Sequence, residues 1–235
     1  MHIKRYLILS ICLLAVVQLK AQQKPFRIGA SFSPKLGWMN PRSVDYEYDG
    51  LSMGFGWALV SEFHFTENYS INTGLNVDYF NARLEYPHIM EVGGDEKSGL
   101  LHRKYHLRNV AIPLNLKLKT NPSGPYSWYA RLGVLLSFNV KAEASDEFQY
   151  RLTSGEIMWT DENRHDIDDE LALIHGAFQF GAGMEYTIKQ SVSVFAELLF
   201  TNGFTNVLDG QNTYNPLIGA EAIPHNFSLT FGMMF

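Results

Sequence analysis

Residues 128–140 read WYARLGVLLSFNV. Even positions carry Trp128, Ala130, Leu132, Val134, Leu136, Phe138 and Val140, while Arg131, Gly133, Ser137 and Asn139 fall on odd ones. Successive side chains of a strand point to opposite sides, so this repeat of two makes an extended strand with one greasy face. Its length matches the roughly ten residues that a tilted strand needs to cross a bilayer.

Seven further stretches repeat the pattern. Phe26, Ile28, Ala30, Phe32, Leu36 and Trp38 alternate with Arg27, Gly29, Ser31, Ser33, Lys35 and Gly37. Similar alternation runs over 51–65, 69–80, 110–118, 178–188, 192–200 and 227–235. A soluble barrel turns its apolar set inward and shows a charged exterior. Here the polar set is poor in charge and rich in Gly, Ser and Asn, and the apolar set is long, branched and aromatic. Trp38, Phe63, Phe65, Tyr69, Tyr79, Trp128 and Tyr186 gather near segment ends, as an interfacial aromatic girdle does. The pattern predicts an all-β protein: an eight-stranded antiparallel transmembrane β-barrel of up-and-down topology. Connections at 39–50, 87–104, 142–170 and 206–224 are long, and those near 66–68, 121–124 and 189–190 are short. Short turns face the periplasm in such barrels and long loops face outward, which predicts that both termini are periplasmic. Pro113 lies inside a predicted strand, and a β-bulge is the expected accommodation of its missing N–H.

Several motifs add a resemblance. Residues 107–117 (LRNVAIPLNLK), 129–133 (YARLG), 180–185 (FGAGME) and 200–207 (FTNGFTNV) resemble strands of the small outer-membrane β-barrel family of Bacteroidota, often labelled porin-like or PorT-like. Phe204 stands where that family's pattern has Leu. The resemblance covers nearly the whole chain, implies fold and location, and supplies no catalytic residues.

The chain's beginning has the layout of an address. Lys4 and Arg5 precede an apolar run of about 14 residues, Tyr6 to Leu19, which is shorter than the roughly 18 residues of a spanning helix. Residues 1–22 are therefore expected to be a cleaved signal peptide for Sec export across the inner membrane of a Gram-negative cell. Residues 23–235 would then form a single outer-membrane barrel domain. Leu9-Ser10-Ile11-Cys12 resembles a lipobox, but Ile11 sits where a small residue is wanted. Losing Lys4, Arg5 and Lys20 takes the formal net charge from -5 to -8 and removes the chain's one cysteine, Cys12. A disulfide scaffold, a cysteine-based zinc site and a basic nucleic-acid binder are all excluded.

Alternation points Glu62, His64, Asp78, Lys117, Arg131, Glu185 and Glu197 into the barrel, with Phe80, Leu135, Phe195 and Leu199. Eight strands enclose a bore just wide enough for side chains to fill, so the expectation is a plugged, salt-bridged lumen rather than a narrow passive pore. The long third connection holds ten acidic residues and two basic ones. Asp161, Glu162, Asp166, Asp168, Asp169 and Glu170 mark it as the candidate interaction loop, for a cation or a cationic partner; plain solvation is the bland reading. Its 148–159 stretch alternates about a Ser-Gly turn, which extends the hairpin beyond the membrane.

No enzyme is expected. A lipid-modifying barrel hydrolase needs Ser and His within hydrogen-bond reach, and the His-x-Ser spacing that would place them on one strand face is missing. His102 and His106 are weak metal candidates, and neither a metal nor a cofactor is assigned. The expected partners are outer-membrane lipid and, during biogenesis, the barrel-assembly machinery, with the protein a monomer that acts structurally or by binding through its loops. An accessory role in a secretion or uptake assembly follows from family analogy alone.

Phe227, Leu229, Phe231 and the terminal Phe235 make an alternating aromatic last strand, in which Phe231 and Phe235 are the expected assembly signal. Deleting Phe235 should sharply reduce outer-membrane insertion. Heat-modifiable folded protein at wild-type levels in cell envelopes would contradict that assignment.

Overall fold

The computed structural model describes residues 26–189, 192–211, 214–215, 217 and 219–235. The expected signal peptide, 1–22, lies outside the described residues. The strands are β1 (Phe26–Pro41), β2 (Glu47–Tyr48), β3 (Ser52–His64), β4 (Tyr69–Val92), β5 (Asp95–Lys119), β6 (Tyr126–Arg151), β7 (Ile157–Asp166), β8 (Ile174–Lys189), β9 (Val192–Gly203) and β10 (Ala222–Met234). β1 pairs with β3 and β10; the ring then runs β3–β4–β5–β6–β8–β9–β10, every pair antiparallel. Eight strands thus close on themselves, and no ring strand is left with an open edge inside the wall. β2 adds to the upper part of β4, and β7 adds to the upper part of β6. Both ends of the ring lie on one rim, where the Phe235 N–H donates to the Ile28 carbonyl at 2.8 Å.

The wall is inverted relative to a soluble protein. Trp128 is 62% exposed and Leu114 55%, whereas Glu62 and Asn115 are 0% exposed. On β5 the outward set is Leu118, Leu116, Leu114, Ile112 and Val110, after which comes Arg108. β6 carries Trp128, Ala130, Leu132, Val134, Leu136 and Phe138 outward before Lys141. About ten residues of tilted strand therefore separate the two ends of an apolar belt, the height of a hydrocarbon core. Phe26 against Phe63, at 4.8 Å, and Tyr126 against Tyr186, at 5.0 Å, mark the short-turn rim. Phe55 stacks on Tyr79 at 4.6 Å near the other.

Above that second rim the alternation continues but its meaning reverses. Phe80, Ala82, Leu84 and Tyr86 on β4, with Leu101, Tyr105 and Leu107 on β5, pack inward as an apolar core together with Ala144 and Phe148 of β6. Met39, Tyr46, Ile167, Leu171, Val207 and Ala222 complete it from the other connections. One expected long loop is corrected here, and the expected extension of the third hairpin is present. Residues 87–104 are strand, joined by a tight turn at Gly93 and Gly94, whose φ values of 65° and 86° suit the mirror-image turns of hairpins. Much of 142–170 is also strand, because β6 runs to Arg151 and β7 returns along it. In water a polar outer face and an apolar inner one form the stable arrangement, so these segments keep the period and swap the faces.

Pro113 is a second correction. It keeps its register with β6, opposite Leu135, and no bulge forms there. The β4–β5 ladder instead passes from Thr73↔Leu114 to Asn76↔Ala111 without a pair between. Thr73 Oγ1 donates to the Pro113 carbonyl at 2.7 Å across that gap. Pro34 is treated alike, between Phe32↔Phe231 and Lys35↔Ser228. The register shift on β5 lies at Arg108/Asn109, where Val140 is the extra residue of β6.

The same gap needs Gly74. Its φ is +154°, and a Cβ there would overlap the Leu59 carbonyl of β3, which is fixed in its own ladder. Gly74→Val should lower the unfolding free energy in detergent by about 2 kcal/mol or more, from strain and overpacking. An unchanged urea midpoint would show that the wall yields at this point.

Candidate functional site

The odd positions of β1 and the corresponding positions of the other ring strands meet inside the barrel. Nearest the short-turn rim, Glu62 of β3 and Glu185 of β8 face each other around Lys117 of β5. Lys117 Nζ lies 3.0 Å from Glu62 Oε1 and 3.1 Å from Glu185 Oε2. Arg27 reaches Glu185 at 2.6 Å and Glu62 at 3.8 Å, and Lys119 reaches Glu185 at 3.3 Å. Ser70 donates to Glu62 at 2.7 Å and Ser193 to Glu185 at 2.7 Å, with Arg27 also bonded to Ser193. His64 Nε2 sits 3.5 Å from Glu62. The Lys117 ammonium also lies over the Tyr129 ring, 4.4 Å from its centroid.

The next layer pairs Arg131 Nε with Glu197 Oε1 at 2.8 Å, and the Tyr129 hydroxyl donates to Glu197 Oε2 at 3.1 Å. Asn115 donates to Gln179 at 3.0 Å. Lys35 pairs with Asp78 higher up. Small residues make room for these groups: a Cβ on Gly181 would overlap Glu197, and one on Gly56 would overlap Asp78. What space remains is small. One void of about 40 Å³ lies among Ser33, Asn72, Asn76, Arg131 and Thr230. Another of about 30 Å³ lies among Asn109, Ser137, His175 and Asn226. Each holds only a few waters at about 10–15 Å³ per probe position.

The structure brings together Glu62, His64, Lys117 and Glu185 as one cluster, Arg131 and Glu197 as a second, and Asp78 apart from both. The sequence reading left out Arg27, Lys35, Lys119 and Tyr129 from this network. Arg27 and Lys35 sit on the polar face of β1, so the same alternation marks them. Their partners, however, lie across the barrel and far along the chain.

The acidic third connection is less bare than its composition implies. Arg103 of β5, 6% exposed, donates through Nε and Nη2 to both oxygens of Asp146 at 2.8 and 2.6 Å, and through Nη1 to Glu170 at 2.6 Å. Asp168 accepts the Ala142 N–H at 2.5 Å, and Asp166 accepts that of Asp168 at 2.9 Å. Asp161, Glu162 and Asp166 lie on β7 directly opposite Glu147, Asp146 and Glu143 of β6. Asp169 is exposed in the short 3₁₀ turn Asp168–Glu170.

His102 and His106 do not act together. His102 Nδ1 lies 3.1 Å from Glu85 and 3.8 Å from Asp49, and its ring stacks on Trp159. His106 bonds Asn81 at 2.9 Å. Asp49, Glu85 and His102 are a group of possible ligands within 4.8 Å of one another, gathered from the first connection and from β4 and β5.

The family model described as "Outer membrane protein beta-barrel domain" matches residues 20–209. No curated protein matches the chain. Among solved structures, it is similar to Neisserial surface protein A (12% identity, 90% of this chain and 96% of that one, TM-score 0.45). It is also similar to Ail of Yersinia pestis (11%, 91% and 100%, 0.40) and to OprG of Pseudomonas aeruginosa (10%, 93% and 99%, 0.47).

Removing one member of the lower cluster leaves charge buried without its counter-charge. Glu185→Gln takes the paired carboxylate from Lys119 and leaves Arg27 and Lys117 to share Glu62, and should cost about 3–5 kcal/mol of unfolding free energy in detergent. Glu156→Gln at the exposed hairpin end should change it by less than about 0.5 kcal/mol. Equal effects would mean that the lumen is hydrated enough to screen its charges.

Proposed function

The chain belongs to the outer membrane protein beta-barrel domain family, and on that premise we propose that it is a sealed outer-membrane barrel that works through its protruding hairpins rather than through a pore. The observation that carries this reading is the filled lumen. Two carboxylates and three cations interlock at the short-turn rim, further ion pairs follow, and an apolar core closes the far end. An ion entering this interior would have to displace bound counter-charges and then cross a layer of buried Leu, Phe and Tyr.

With no path through the centre, contact surfaces are what remain. The short-turn rim and both chain ends face the periplasm, after Sec export and removal of residues 1–22, and the hairpins face outward. β6 and β7 stand beyond the apolar belt with Ile157, Met158 and Trp159 at 50%, 41% and 53% exposure. Of their three acid-on-acid cross-strand pairs, two include a carboxylate already paired within the protein, Asp146 by Arg103 and Glu143 by Lys141 and Arg164. At the third, Glu147 opposite Asp161, a cationic surface docked on the hairpin relieves the repulsion. The protein is thus read as a non-enzymatic binding barrel of the small Bacteroidota type, with its acidic third hairpin as the contact element.

Planar-bilayer recording tests the first half. Purified protein should give no stable unitary conductance, and reproducible ohmic openings would turn the reading into a narrow pore. For the second half, a photo-crosslinker at Trp159 in intact cells should capture a partner in a salt-sensitive manner. The same probe at Leu132, in the lipid-facing belt, should not. Identical crosslinks from both positions would remove the hairpin as the contact element.

A further inference from the structure

Positive charge gathers on the outer wall just above the apolar belt of β5 and β6. Arg108 of β5 and Lys141 of β6 are the first charged residues above the apolar belt on their strands, and they sit directly opposite each other. Two outward positions higher, past Asn81↔His106, Arg83 of β4 sits directly opposite Lys104 of β5. Like charges placed opposite on neighbouring strands repel, and here two such pairs share β5, four residues apart. Arg164 of β7 adds a fifth cation. Glu143 faces this group as its carboxylate, 2.6 Å from Lys141 and 3.6 Å from Arg164. In a chain of net negative charge, this clustering is opposite to the average.

The patch has a shaped floor. An open cavity of about 230 Å³ lies among Phe55, Tyr79, Asn81, His106 and the cations Lys104, Arg108, Lys141 and Arg164. Below it the Phe55–Tyr79 stack marks the edge of the belt, and the Arg108 guanidinium lies 5.2 Å from the Tyr79 ring centroid. Arg164 is aimed from a left-handed backbone, φ 29°, at the register shift between Ala144 and Asp146. A non-glycine residue held there is strained, and such strain concentrates at binding sites. A chain of side chains supports it: the Arg164 N–H donates to Ser145 Oγ at 3.4 Å, and Ser145 contacts His106 Nε2 at 3.5 Å. His106 Nδ1 meets Asn81 Oδ1 at 2.9 Å, and Asn81 donates to the Met53 carbonyl at 2.6 Å. Burial, then Arg164 and Lys104, holds the His106 imidazole below its ordinary pKa, in keeping with a site that already concentrates positive charge.

We propose that this patch on the outer face of β4, β5 and β6 binds the phosphate of a phosphorylated lipid headgroup in the leaflet beside the hairpins. The ligand class follows from three features. The cations stand at headgroup height, immediately past the acyl-facing Leu and Ile rows, so a ligand anchored in that leaflet presents its polar group to them. Guanidinium and ammonium groups together match phosphate oxygens in charge and hydrogen-bond geometry. An aromatic floor joins the site to the belt, where the same ligand's apolar part would lie. This inference rests on the protein's outer-membrane placement and not on a sealed lumen, so it stands or falls apart from the conductance result.

Full-length mature protein in nanodiscs is titrated with a bisphosphorylated glucosamine-disaccharide lipid, its dephosphorylated counterpart, or inorganic phosphate, and bound lipid is read by native mass spectrometry. Nanodiscs offer both leaflets, so the result does not depend on which rim faces out in the cell. The phosphorylated lipid should be retained, the dephosphorylated one lost, and inorganic phosphate should fail to displace the lipid at equal concentration. Lys104→Gln/Arg108→Gln, checked for heat-modifiable folding, should weaken retention about 30-fold, on the basis of roughly 1 kcal/mol per cation at an anionic surface. Glu143→Gln, which removes the facing carboxylate, should strengthen it. Equal retention of both lipids, displacement by free phosphate, or no change in either variant would overturn the proposal.

Discussion

Inside hydrocarbon no water can satisfy a backbone N–H or C=O, so every strand in the wall must be paired on both sides. That requirement forces the ring to close, and closure sets the rest. A ring of eight strands has an interior filled by its own side chains, so inward positions must fit one another in both volume and charge. Glycines at 56 and 181 where carboxylates need room, and Lys117 shared between Glu62 and Glu185, answer that demand. The wall adapts to proline in the same way. Pro34 and Pro113 each fall where one ladder opens, and the opposite ladder stays in register. A lumen hydroxyl, Thr73 Oγ1, bonds across the gap at Pro113.

The ionic layers set specificity more than gross stability. Buried ion pairs roughly break even against apolar packing of the same shape, whereas a broken pair is costly. Glu185 has three cationic neighbours on two strands, Arg27 on β1 and Lys117 and Lys119 on β5, so a slipped register at either would leave charge unpaired. The network therefore selects one closure of the ring among those that the apolar exterior, which is tolerant of slippage in lipid, would accept. Above the belt water returns, and apolar packing takes over: Phe148, Leu84 and Leu101 are fully buried there, tied by Arg103 to Asp146 and Glu170.

Much of this was legible in the sequence for a plain reason. A repeat of two translates directly into inside and outside, so the eight ring strands and inward positions such as Glu62, Lys117 and Glu185 follow from parity alone. Parity does not say which inward groups touch. Arg27 and Glu185 are neighbours only because β1 and β8 face each other across a closed bore. The hairpin cap was obscured because the solvent changes along the strand. Residues 80–92 keep their alternation, yet Leu84 and Tyr86 point to the side where Asp78 points. A reading that expects polar residues inside treats that stretch as loop. The Gly93-Gly94 turn was the local signal that the two strands continue. Pro113 invited a bulge because the missing N–H was weighed without the option of a one-sided gap beside Gly74.

The account depends on the lumen being closed to solution in the assembled protein. Cys12 is the sequence's one cysteine, so in a Cys12→Ser background single thiols can be placed at will. Ser228→Cys, in the middle of the bore, is compared with Thr120→Cys at the exposed short-turn rim, each in lipid and treated with a small water-soluble thiol reagent. The account predicts prompt labelling at position 120 and labelling at position 228 only after unfolding. Labelling at 228 as fast as at 120 in the folded protein would contradict it, since a reagent could then pass the Glu62–Lys117–Glu185 layer or the apolar cap.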